Sequence, residues 1–142
     1  MKFDLSINNP SRVFIKSSNI EKSGFGAFAN QFISKGAVIG EYIGKIIDPK
    51  LFDQKRSHTD YGFSVRDGSK VLFVIDAANK KHGNWTRYIN CARNRSEENV
   101  KFFQYKKRIF VKTLIDIKPG AELLVWYGFE YGEKLLGYNI YN

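Results

Sequence analysis

The apolar residues of this chain fall in short runs of strand length, punctuated by glycine, proline, asparagine and lysine pairs. Residues 12–15 predict a short strand that Ser17, Ser18 and Asn19 close. Residues 37–47 read as one strongly strand-like run, with Gly40 and Gly44 marking bulges or close contacts and Asp48-Pro49 ending it. Residues 50–60 are polar and predict a loop or a short helical turn. Residues 61–65 and 71–75 flank the turn Arg66-Asp67-Gly68-Ser69 and predict a β-hairpin. A second hairpin joins 100–105 to 108–115 through Lys106-Lys107. Lys118-Pro119-Gly120 then turns the chain into a strand over 121–126, and 131–136 predict one or two helical turns. Many short strands with Gly/Pro turns and little helix predict a mainly β domain.

Two stretches do not fit that pattern. Gly83-Asn84-Trp85-Thr86-Arg87-Tyr88-Ile89-Asn90-Cys91-Ala92-Arg93 crowds two aromatics, two arginines, two amides and the only cysteine into an aperiodic segment. Such segments line a site or tie two layers together. Gly24-Phe25-Gly26-Ala27-Phe28-Ala29 has the G-x-G-x-x-A spacing of a dinucleotide fingerprint, with Asp48 near the expected ribose-binding position. The context refuses that reading. A parallel crossover needs a dozen or more residues, and here only residues 30–36 precede the next strand. The two glycines still permit a tight turn or close backbone approach to a ligand.

At 142 residues, 43% hydrophobic and 15% aromatic, the whole of 1–142 reads as a single globular domain with a real core. A lone Cys91 leaves no internal disulfide and no cysteine-based zinc site within this chain, which suits a reducing compartment. With no signal-peptide core at the N-terminus and no apolar run of membrane-spanning length, the expectation is a soluble intracellular domain without membrane contact. Charge is uneven. Residues 80–118 hold eleven Lys/Arg against Glu97, Glu98 and Asp116, net +8, whereas 119–142 hold Glu122, Glu130 and Glu133 against Lys134, net −2. The basic middle reads equally as a polyanion-facing surface or as a solvated lysine-rich face.

Taken in order, Ser23-Gly24-Phe25-Gly26, Glu41-Tyr42-Ile43-Gly44, Asp76, Arg87-Tyr88-Ile89-Asn90-Cys91, Asn99-Val100, Lys118-Pro119-Gly120-Ala121-Glu122-Leu123 and Trp126-Tyr127-Gly128 resemble the motifs of SET domains. The resemblance runs from about residue 13 to 136. Asn90-Cys91-Ala92-Arg93 stands where most SET domains have Asn-His-Ser-Cys, and with Phe103-Gln104-Tyr105 and Arg108-Ile109-Phe110 it narrows the likeness to the PR/SET subfamily, nearest its meiotic histone H3 methyltransferase.

The resemblance implies a β-clip fold of short antiparallel sheets with a C-terminal pseudoknot, and protein-lysine N-methylation with S-adenosylmethionine as donor and S-adenosylhomocysteine as product. It implies cofactor contacts from Ser23, Gly24, Phe25, Tyr61, Asn90 and Cys91, and catalysis by Tyr127 with Tyr42 across the lysine channel. Substrate would pair along His58, Tyr61, Gly62, Phe63 and Ser64 as an added strand, with Tyr105 either lining the channel or packing on the sheet. Trp85 and Tyr88 read as mainly structural. Val111 stands where the meiotic relative has tyrosine, which implies one channel hydroxyl fewer and a change in activity or in the number of methyl groups added. The zinc-bound lid of many SET domains has no counterpart, and residues 131–138 would close the site instead. The expected partner is a histone H3 tail lysine of the kind that marks active chromatin, with Glu122, Glu130 and Glu133 as an acidic face for a basic tail. Nucleosomal DNA would meet the basic 80–118 region, in the nucleus or a host nucleus, with the chain a monomer or a homodimer. The alternatives are a catalytically weak PR-type interaction module and a methyltransferase for a non-histone lysine.

Overall fold

Short apolar runs cannot bury themselves singly, so this chain pairs them into small ladders and packs the ladders face to face. The computed structural model describes residues 12–54 and 61–126. Within them β1 (Val13–Ser17) pairs antiparallel with β2 (Phe25–Ala29). β3 (Val38–Tyr42) begins a second sheet, and β4 (Lys45–Ile47) begins a third. The helix α1 (Pro49–Gln54) starts with proline at its first position, and the Asp48 carboxylate accepts from the Lys50 N–H at 2.8 Å. β5 (Gly62–Asp67) and β6 (Lys70–Asp76) form the first expected hairpin, giving the sheet order β4-β6-β5. β7 (Asn90–Cys91) lies inside the aperiodic stretch, after a one-turn 3-10 helix at Trp85–Tyr88. β8 (Val100–Tyr105) and β9 (Arg108–Thr113) form the second hairpin, turned at Lys106 with φ 57°, and complete the sheet β3-β9-β8. β10 (Leu124–Val125) runs parallel beside β7. This is the expected mainly β arrangement of short antiparallel sheets, with one parallel seam. The remainder of the expected pseudoknot, from Tyr127 onward, lies outside the described residues. Among the described residues no helix is long and apolar enough to cross a membrane.

Two apolar clusters hold the sheets. Val13, Ala27, Ala29, Ile33, Ile39, Val100, Val111, Ile117, Leu123 and Val125 fill the space between the β1-β2 ladder and the β3-β9-β8 sheet. Tyr42, Phe63, Val65, Ile75, Ala77 and Ile109 fill the second cluster, and Phe102 packs on both. Each fully buried large side chain, such as Phe28 or Phe110, contributes about 1.5–3 kcal/mol.

Three outcomes differ from the sequence pattern. The stretch whose two glycines permitted either a tight turn or close approach to a ligand continues from Phe25 as a strand, β2, whose last three residues are completely buried. Its small residues let the chain pack tightly, but they carry little β-propensity. The single run over 37–47 is two strands in two sheets. It breaks at Gly44, where a Cβ would lie 2.5 Å from the Asp76 carbonyl oxygen, so only glycine lets the backbones pass. The bulge expected at Gly40 is present, between Val38 and Gly40. Finally, the strand expected over 121–126 pairs as a ladder only at Leu124 and Val125, with Glu122 making an isolated bridge to Phe28.

Asn99 substitutes for a missing ladder residue. Its buried side chain donates from Nδ2 to the Glu122 carbonyl at 2.8 Å and accepts at Oδ1 from the Leu124 N–H at 2.8 Å. Its backbone N–H donates to the Leu124 carbonyl at 3.0 Å. Stranding two buried main-chain groups is costly. Asn99→Leu is therefore expected to lower unfolding stability by about 2–4 kcal/mol in a urea titration. A loss below about 1 kcal/mol would show that the side chain is dispensable to the fold.

Candidate active site

The segment between β1 and β2 is shaped by a buried acid. Glu122 is 6% exposed, and its carboxylate accepts from Ser18 Oγ at 2.7 Å and the Asn19 N–H at 2.8 Å. The Ser18 N–H in turn donates to the Gly24 carbonyl at 2.8 Å, and Gly24 takes φ +66°, a left-handed conformation that glycine adopts without strain. Gly26 lies directly on the carboxylate: a Cβ there would approach Glu122 Oε2 to 2.3 Å. Asn90 completes the arrangement. Its Nδ2 donates to the Phe25 carbonyl at 3.0 Å and to Glu122 Oε2 at 3.4 Å, joining β7 to the start of β2. Glu122 is thus a buried brace, which corrects its expected place on an acidic face for a basic tail. Glu130 and Glu133 lie outside the described residues.

The 83–91 stretch supplies the opposite wall. Asn84 caps the 3-10 turn, accepting from the Thr86 N–H at 3.1 Å, and donates to the Glu41 carbonyl at 2.9 Å. Arg87 then reaches back to the end of β6, donating from Nε to the Ala77 carbonyl at 2.8 Å and from Nη2 to the Ala78 carbonyl at 2.9 Å. Its guanidinium carbon lies 4.5 Å from the Tyr61 ring centre and 4.9 Å from that of Tyr88. One cation therefore fixes two tyrosine rings. The Tyr88 ring also meets Phe25 edge-on, with centres 6.4 Å apart.

These walls enclose a cleft of about 320 Å³ lined by Ser23, Gly24, Phe25, Tyr61, Lys80, Arg87, Tyr88 and Asn90. Five of the six residues expected around a cofactor converge here from three separate parts of the chain. Cys91 is not among the lining residues; its strand pairs with Val125 and its Sγ lies 3.5 Å from the Ala92 carbonyl. Trp85 and Tyr88 both pack on the first core cluster as expected, and Tyr88 also lines the cleft. Lys80 and Arg87 were not singled out by sequence. Arg87 stands within the aperiodic motif, the one signal that could have found it, and Lys80 is hidden in a basic run.

The remaining candidates lie off the cleft lining or outside the described residues. Tyr42 is 3% exposed, its hydroxyl donates to the Tyr61 carbonyl at 2.6 Å, and its ring packs against Phe63 and Phe102. It therefore holds the Tyr61 wall from behind. Gly62, Phe63 and Ser64 lie on β5, the outer strand of its sheet among the described residues. Tyr105 is half-buried at the end of β8 and not among the cleft's lining residues, with the Lys106 ammonium 5.6 Å from its ring centre. Val111 is fully buried in the first core cluster. The basic middle is not one uniform face. Arg108 forms a two-point ion pair with Glu41 that raises its pKa, and Arg93 pairs with Glu97, holding that carboxyl below its ordinary value. Tyr127, His58 and residues 131–138 lie outside the described residues.

A family model described as PR domain zinc finger protein 2, PR domain, matches residues 13–138. The chain is 34% identical over 131 residues to the human histone-lysine N-methyltransferase PRDM7, covering 92% of this chain and 26% of that protein. It is 35% identical over 122 residues to the histone-lysine N-methyltransferase set-17 of Caenorhabditis elegans, covering 86% of this chain and 43% of the relative. The chain thus spans between a quarter and under half of the length of these curated relatives. Among solved structures, the methyltransferase domain of human PR domain-containing protein 2 superposes with TM-score 0.70 at 31% identity, over 84% of this chain and 79% of that one. A Chaetomium thermophilum PRC2 structure in an autoinhibited conformation bound to S-adenosylmethionine superposes with TM-score 0.68 at 27% identity, over 88% of this chain and 16% of that one. A match spanning nearly the whole chain, on a fold of the same small sheets, makes this chain a member of the PR-domain family, the SET-like domain found in relatives named as histone-lysine N-methyltransferases.

Proposed function

We propose that this domain is a protein-lysine N-methyltransferase that binds S-adenosylmethionine in the cleft between residues 23–25 and 87–90 and acts on a histone H3 tail lysine. The observation that carries the reading is the convergence of Ser23, Gly24, Phe25, Tyr61 and Asn90 on one cleft of about 320 Å³, at the lower end of the size of small-molecule sites. The lining suits this cofactor. Aromatic faces favour a planar base and a cationic sulfonium, and the Lys80 ammonium favours a carboxylate. Gly24, with nothing within 4 Å of where a Cβ would be, lets the backbone approach closely. Cys91 is assigned to the same pocket by family resemblance alone.

Bound there, the cofactor supplies an electrophilic methyl group. The protein's part is alignment and proton management, because methyl transfer to an amine demands in-line approach. The substrate lysine, with an unperturbed pKa of roughly 10.4, must be neutral to react. Aromatic surroundings disfavour the ammonium form by desolvation. Tyr42 holds the Tyr61 carbonyl and thereby that aromatic wall, and Tyr127, by its match to the family motif, orients the amine. Residues 62–64 accept the peptide as an added strand. Loss of catalysis with retained peptide binding would instead favour an interaction module, and transfer confined to other proteins would favour a non-histone lysine.

Transfer of a labelled methyl group to a histone panel tests the reading directly. Wild type is expected to label H3, and Tyr127→Phe to lower the rate by about 100-fold or more. Undiminished transfer by that variant would remove Tyr127 from the chemistry. In calorimetry with S-adenosylhomocysteine, Asn90→Ala is expected to weaken binding about tenfold, because it releases the Phe25 carbonyl and half of the cleft; equal affinity would move the cofactor elsewhere. Since only the neutral amine reacts, kcat/KM for a lysine peptide is expected to rise about tenfold per pH unit from 7 to 9. A flat profile would contradict a titrating free lysine as nucleophile.

A further inference from the structure

The outer edge of β5 is closed at one position by a side chain that imitates a peptide group. Gln104, exposed on β8, accepts at Oε1 from the Arg66 N–H at 2.9 Å and donates from Nε2 to the Arg66 carbonyl at 2.8 Å. Nε2 also donates to the Lys106 carbonyl, so the amide orientation is fixed by donors and acceptors on both sides. The β-bulge between Val65 and Arg66 arises because β6, not β5, carries the extra residue: Val65 lies opposite Phe73 and Arg66 opposite Val71. β5 therefore alternates regularly. Tyr61 directs its carbonyl to Ala77 beyond the end of β6, so the backbone groups of residues 62, 64 and 66 face outward. Among the described residues, Gln104 occupies the last of these three positions.

We propose that Gln104 is a specificity-determining residue. By completing the β5 edge at Arg66, it sets where an added peptide strand must stop and so fixes the register of the lysine relative to residues 62 and 64. The inference rests on the proposed peptide-methylating function. An incoming chain pairs with Gly62 and Ser64, and its next main-chain groups meet an edge already satisfied by a side-chain amide. Extra substrate residues on that side gain no ladder hydrogen bonds, whereas residues on the other side do.

The test is a ladder of lysine-centred peptides, lengthened one residue at a time from each terminus. Methyl transfer is measured for wild type, Gln104→Ala and Gln104→Glu, alongside amide exchange at Arg66. For wild type, kcat/KM is expected to stop responding to added residues at one terminus. For Gln104→Ala the response should continue at that same terminus, by roughly fivefold over the next two residues, with faster exchange at Arg66. Gln104→Glu keeps the acceptor but loses the donor and should fall between. Active enzymes with superimposable ladders overturn the register role alone. Unchanged Arg66 exchange in Gln104→Ala overturns the edge closure. Absence of transfer to every peptide by wild type overturns the substrate reading and this inference with it.

Discussion

A buried carboxylate and its hydrogen-bond donors organise this domain. Glu122 lies beneath the connection between β1 and β2, and its carboxylate accepts from Ser18 and Asn19 of that connection and from Asn90 of the cleft wall. A buried carboxyl group is costly unless its oxygens accept hydrogen bonds. Ser18, Asn19 and Asn90 meet that demand, and their geometry leaves the chain at Gly26 no room for a side chain. These hydrogen bonds fix the loop and the facing strand relative to each other. Because Glu122 also lends its carbonyl to Asn99, the same residue links the cleft to the β8-β10 contact.

Arg87 plays the corresponding part on the other side, with a different physics. Its charge is delocalised over a plane that two tyrosine rings can face while its edges satisfy the Ala77 and Ala78 carbonyls. A lysine could supply the charge without the plane or the paired donors. The cleft is therefore braced from behind by the buried Glu122 carboxyl and from within its lining by the Arg87 guanidinium, each holding other lining residues in place.

Much of this was legible before any coordinates. The two hairpins announced themselves through β-branched and aromatic runs on either side of short polar turns, and the motif order named the fold. β2 was not legible because glycine and alanine carry no strand signal; only burial against Ile33, Leu123 and their neighbours makes it one. The break at Gly44 was visible as a glycine but not as a change of sheet, since the close approach of Asp76 is a long-range fact. Glu122 read as surface charge because sequence shows valence and not burial. Tyr88 read only as packing, a role it has, because its second place at the cleft depends on where Arg87 and Phe25 hold its ring. Local chemistry was readable; relations between distant segments were not.

The parallel pairing of β7 with β10 has a consequence for how the domain becomes able to bind anything. Asn90 stands on one strand of that seam and Glu122 lies two residues before the other, so the cleft is finished only when the segment around 122–125 returns to the middle of the chain. Closing such a long loop is entropically slow and comes after the local hairpins. A ligand that recognises the finished cleft binds the native state alone and stabilises it by mass action. Its binding energy is delivered to the seam that local sequence preferences support least, which makes the small molecule a thermodynamic clasp for the fold as well as its occupant.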